Sequence, residues 1–179
     1  MFNKSIIIAA SFLLFVNVSF ANPQKKTDDV SEFSTQEITK LIVSCAKETK
    51  DHQFEVLKCG CFIDAARFKK LNAESKALCS IRVREWLDND EKNLTNVFAP
   101  SEWPSSVIAE AQVNCFMALQ KMKYEGDSVT ACSCVGDGVR RTITYAERLK
   151  MESDLGDAEA QKKFLDTISF LYERCIKIK

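Results

Sequence analysis

The apolar positions of this chain fall at helical spacing, and no stretch alternates in the way a half-buried strand requires. Ile38, Leu41, Ile42 and Cys45 lie at i, i+3, i+4 and i+7, one stripe of a helix. Ahead of them Ser34 and Glu37 have the spacing of a capping box, in which each side chain takes up the other's free backbone N–H. A polar turn at Lys50-Asp51-His52-Gln53 separates this helix from a second, which carries Cys59 and Cys61. Asn72 is placed to cap a third, running through Cys79 to Trp86 and Leu87. The same order then recurs. A helix begins at Pro104 or Ser105 and carries Ile108, Ala111, Cys115 and Leu119. Tyr124-Glu125-Gly126-Asp127 reads as a turn, and a long helix follows through Cys132, Cys134 and Tyr145. Gly156 can end that helix and Asp157 can cap the last one, which reaches Cys175.

The recurrence extends to particular residues. Val56, Cys59, Cys61, Asp64 and Arg67 match Val129, Cys132, Cys134, Asp137 and Arg140, each pair 73 positions apart. Val43 and Cys45 match Val113 and Cys115 at an offset of 70. Both sets of four cysteines have the order single, CxC, single. The chain is therefore read as all-α, with duplicated three-helix units, about six helices, stapled by four disulfides. Repeat 1 covers 34–87 and repeat 2 covers 105–179, in one compact domain overall. A polar connector, 88–104, joins them and carries Pro100, Pro104, Phe98 and Trp103.

The first 21 residues have a different pattern. Lys4 is their only charge, an apolar run follows from Ile6 to Val16 with only Ser11 breaking it, and Ser19 and Ala21 are small residues at −3 and −1 of a cleavage site. This predicts an export signal over 1–21 and a flexible N-terminal segment over 22–33. The run is shorter than the ~20 residues that span a bilayer comfortably. The expected mature chain meets no membrane after cleavage.

Export decides how the eight cysteines read. In an oxidising compartment an even set implies disulfides. Cys45, Cys59, Cys61 and Cys79 belong to the first repeat, and Cys115, Cys132, Cys134 and Cys175 to the second. Residues two apart on a helix differ by about 200° in direction, so the CxC sulfurs should reach different neighbours. The midpoints of Cys61–Cys79 and Cys134–Cys175 fall nearer the expected turns, at Asn72 and Gly156, than those of the crossed alternatives. That favours a nested set, Cys45–Cys59, Cys61–Cys79, Cys115–Cys132 and Cys134–Cys175. The crossed set, with Cys45–Cys61 and Cys59–Cys79 and their counterparts, remains open.

Composition narrows the function classes. Twenty-five basic and 25 acidic residues balance, which gives no general reason to bind nucleic acid or an anionic membrane. One His in 179 residues argues against His-based catalysis and multi-His metal sites. The repeated Asp64/Arg67 and Asp137/Arg140 have the i, i+3 spacing of intrahelical ion pairs. A duplicated site for a charged ligand and a carboxylate pair for hydrolysis are the functional readings of the same residues. Arg140-Arg141 reads as a solvated basic pair, and His52 as a turn residue. No catalytic residue, cofactor or metal is called for.

The expectation is a non-enzymatic binding protein, periplasmic or secreted, with a protein partner in that space. An immunity or inhibitor protein, or an accessory subunit of a periplasmic complex, fits. Phe98 and Trp103, set among acidic residues, are the candidate partner-binding anchors. The alternative is thiol-redox or soft-metal (copper or zinc) handling through the CxC pairs.

Overall fold

The computed structural model describes residues 33–46, 51–69, 71–91, 94–153 and 158–176. The expected signal segment, residues 22–32, and the turn at Gly156 and Asp157 lie outside the described residues. Every described element is a helix: α1 (Thr35–Cys45), α2 (His52–Phe68), α3 (Ala73–Asp88), α4 (Ser105–Lys121), α5 (Ser128–Thr142), α6 (Tyr145–Ser153) and α7 (Ala158–Cys175). Among the described residues, no helix is long and apolar enough to cross a membrane.

Local hydrogen bonding sets where these helices begin. At α1 the Ser34 N–H donates to Glu37 Oε2 at 2.8 Å and the Glu37 N–H to Ser34 Oγ at 3.2 Å, a complete capping box. Asp51 caps α2 through the Phe54 N–H. Asn72 and Ser75 cap α3 reciprocally, at 2.9 and 3.0 Å. Asp127 Oδ1 accepts from both the Val129 and Thr130 N–H groups at the start of α5. His52 is the exposed first residue of α2 rather than part of the turn.

One expected helix is two. The helix through Cys132 and Cys134 ends at Thr142, where Ile143 is extended (φ −130°, ψ 128°). Three β-branched residues in a row, Thr142-Ile143-Thr144, weaken the helix there. Thr144 and Glu147 then form a new reciprocal cap for α6. The Ile143 side chain, left out of the helix, is buried in the core.

The four bridges form the nested set. Cys45–Cys59 joins α1 to α2, and Cys61–Cys79 joins α2 to α3, with Cα atoms 5.9 and 5.6 Å apart. Cys115–Cys132 joins α4 to α5, and Cys134–Cys175 joins α5 to α7, at 5.8 and 5.6 Å. Each central helix thus sends its first sulfur back along the chain and its second forward. Disulfides in this number are the pattern of proteins that fold outside the reducing cytosol.

The chain divides into two compact units, residues 27–110 and residues 111–179. The division falls inside α4. The reason lies in the first core. It gathers Ile38, Ile42, Ala46 and Cys59 with Ile108 and Ala109 of α4, and Phe33, Val56, Ile63 and Trp103 pack against it. The opening turns of α4 therefore fill the core of the first repeat. α1 buries Thr35, Ile38 and Ile42 and leaves Leu41 exposed, so its contact runs along one edge of the apolar stripe. The second core consists of Cys115, Leu119, Ala131, Cys132, Val135, Ile143, Phe164, Ile168, Tyr172 and Ile176. On α7 its members stand at i, i+4 and i+8, which aligns them on one face.

Candidate functional site

A buried polar cluster of the first unit is built on α2, one turn beyond the CxC. Asp64 and Arg67 are three residues apart and face the same way. Their side chains are 4% and 1% exposed. Arg67 Nη1 donates to Asp64 Oδ1 at 2.9 Å, to Ser105 Oγ at 2.8 Å and to the Trp103 carbonyl at 3.1 Å. Asp64 also accepts from the Ser105 N–H at 3.0 Å and from the Ser105 hydroxyl at 2.6 Å. The carboxylate thereby caps α4 from another helix. It sits at the positive end of the α4 dipole and takes up an N–H that the helix leaves unpaired. Burial pushes the Asp64 carboxyl up to about 6, against the opposing pull of Arg67 and Ser105.

Gly60, the middle of the first CxC, lets α4 come close. A Cβ there would stand 2.8 Å from the Ser106 N and 2.7 Å from the Ser106 Cβ. The middle residue of the second CxC is Ser133, and it is buried. Its hydroxyl donates to the Val129 carbonyl at 2.9 Å and accepts from Gln112 Nε2 at 2.7 Å. The position between the cysteines thus meets α4 in both units, once through space and once through a hydrogen bond.

Asp137 and Arg140 make the corresponding ion pair on α5, at 3.0 Å. Asp137 is 23% exposed and Arg140 only 5%. Arg140 is therefore a buried partner of Asp137, not half of a solvated basic pair; Arg141 is exposed. Trp103 is half-buried against the first core. Phe98 is half-buried, with Lys69 Nζ 5.8 Å from its ring centroid. Asn96 holds the connector in shape, its Oδ1 accepting from the Phe98 and Ala99 N–H groups at 3.0 and 3.1 Å.

The sequence places Ser105 at a helix start but does not give its bonds to Asp64 and Arg67, nor the role of Gln112. A signal for the first was present. Phe33 lies two residues before Thr35, the first residue of α1, as Trp103 lies two before Ser105, the first of α4, at the offset of 70 that aligns Cys45 with Cys115. Thr35 and Ser105 are both buried hydroxyls, 1% and 0% exposed.

Chemically, the Asp64 cluster is a clamp. Arg67 and Ser105 take up Oδ1, and a carboxylate engaged in this way fixes a helix start rather than facing a substrate. All eight cysteines are bridged. Within each CxC the two sulfurs belong to different bridges. Among the described residues, no group of three or more His, Cys, Asp or Glu is placed to hold a metal ion.

These features define an all-helical protein stapled by four disulfides. Comparison with protein-family models, curated proteins and solved structures finds no match to the chain.

Proposed function

We propose that this chain is an exported, non-enzymatic binding protein of the periplasm or extracellular space, of the immunity or inhibitor type or an accessory subunit of a periplasmic complex. The observation that carries the reading is the outer face of α3. The helix buries a narrow strip, Ser75, Cys79, Val83 and Trp86. Leu78 and Ile81 point away from it at 37% and 57% exposure, with Leu71 at 39% just ahead of the cap. Glu74, Arg82 and Glu85, one turn away from Leu78 or Ile81 along the same face, are exposed. The Cys61–Cys79 bridge ties this helix to α2, so the face is presented with little freedom left to lose on binding. An apolar centre within a charged rim is the make-up of protein interfaces. Trp103 gives its ring to the first core, so α3 is the stronger anchor surface, with Phe98 next.

The test is native co-purification of the oxidised mature protein from its own host. A protein partner should co-elute stoichiometrically with the unaltered chain. It should be lost from an Ile81→Glu variant that stays folded and oxidised. A chain that captures nothing and turns over a substrate would overturn the reading, and so would a partner retained by Ile81→Glu and by Phe98→Ala alike.

A further inference from the structure

The four bridges differ in how water reaches them. Cys61 and Cys79 are 4% and 0% exposed, and Cys115 and Cys132 are 3% and 1%. In Cys45–Cys59 one residue is exposed and the other, Cys59, is fully buried in the first core. Cys134–Cys175 alone has no buried member: Cys134 is exposed and Cys175 half-buried. The repeats diverge at this point, because the matching bridge of repeat 1 is Cys61–Cys79. Cys79 lies mid-helix, with Val83 and Trp86 buried beyond it, whereas Cys175 is the last residue of α7.

Thiol–disulfide exchange needs two things from its target. The attacking thiolate must reach one sulfur, and the other must leave as a thiolate that its surroundings can solvate. The Cys61–Cys79 and Cys115–Cys132 bridges fail the first condition. Cys45–Cys59 fails the second, because attack on the exposed Cys45 would expel the Cys59 thiolate into an apolar core, where burial disfavours the charge. Cys134–Cys175 meets both.

We propose that Cys134–Cys175 is a thiol-exchange site, opened in the folded protein by a dithiol reductant while the other three bridges stay closed. The reductant's first thiolate attacks Cys134 Sγ and forms a mixed disulfide. The Sγ–Sγ bond breaks, and Cys175 leaves with the electron pair and takes up a proton. The reductant's second thiol, deprotonated, attacks its own sulfur in the mixed disulfide. Cys134 is released as a thiol, and the dithiol ends as a disulfide. Opening does not release α7, because Phe164, Ile168, Tyr172 and Ile176 hold it in the second core. The product is a folded chain with two thiols on neighbouring helices. This site is independent of the binding face on α3.

The experiment treats the oxidised mature protein with dithiothreitol under native conditions, quenches in acid, alkylates and maps the cysteines over time. Cys134 and Cys175 should be labelled together, at least tenfold faster than any other pair, while the far-ultraviolet circular dichroism stays unchanged. Another pair opening first overturns the proposal, as does opening of all four in step with unfolding. A Cys134→Ser/Cys175→Ser variant supplies the second arm. It should lack the fast phase and keep the three slow bridges; a fast phase that survives in it also overturns the proposal.

Discussion

Replacing Asp64 by alanine takes away a carboxylate that Arg67 bonds at 2.9 Å, and the acceptor of both the Ser105 N–H and the Ser105 hydroxyl. The guanidinium, 1% exposed, keeps the Ser105 hydroxyl and the Trp103 carbonyl, both neutral acceptors. The Ser105 N–H loses its cap within a buried helix start. Breaking a buried pair from one side costs about 3–5 kcal/mol, since the remaining charge is left uncompensated. Domain stabilities of ~5–15 kcal/mol set the scale, so the loss is a third or more of a modest one. Guanidinium unfolding of the oxidised protein at pH 8 measures it, at a pH where Asp64 carries its charge. Adding Arg67→Leu removes the buried cation, so the double variant should be more stable than Asp64→Ala alone. An Asp64→Ala loss below about 1 kcal/mol would refute the clamp, and so would two single losses that simply add.

Three further outcomes follow from local geometry. Gly60→Ala should destabilise by about 1–3 kcal/mol despite the better helix propensity of alanine, because the new methyl meets the Ser106 backbone; a stabilised variant in thermal unfolding would show that α4 can retreat. Lys123 ends α4 with φ 53°, the left-handed region, so Lys123→Gly should raise stability by up to about 1 kcal/mol in denaturant titrations, and a loss would mean that the lysine side chain contributes there. The Thr130 hydroxyl and N–H hold the Asp127 carboxyl below its ordinary value of 3.8, so its contribution is full above that value and is lost as pH falls through the lower, folded one. Asp127→Asn keeps a capping side chain without the charge, so its stability deficit should shrink below pH 4, and a deficit that grows in acid would contradict this.

Local chemistry made much of the fold legible. Ser34 with Glu37, Asn72 and Asp127 announce helix starts because each cap is satisfied within three residues. Hairpin geometry favoured the nested bridges through the turns inside Cys61–Cys79 and Cys134–Cys175 but left the crossed set open, because the first hairpin of each repeat does not distinguish the two. The Asp64/Arg67 pairing was legible because its i, i+3 spacing is local. Its completion by Ser105 was not, since that contact joins residues 41 positions apart. The apolar stripe of α1 could not say which edge packs, and so Leu41 read as core. Thr144 and Glu147 carried a fresh cap, but continuous helical spacing of apolar residues masked it. The division inside α4 was hidden because a single helix serves two cores with different stretches.

The order of the bridges has a consequence for biosynthesis. Counted along the chain, the first cysteine bonds the second, the third the fourth, the fifth the sixth and the seventh the eighth. A polypeptide that enters an oxidising compartment N-terminus first therefore presents its thiols in the order in which they must join. An oxidase acting on each newly arrived pair makes the native set directly, although eight cysteines allow about 105 pairings. Isomerase activity should matter to this protein mainly when it refolds from the fully reduced state, with all eight thiols competing at once.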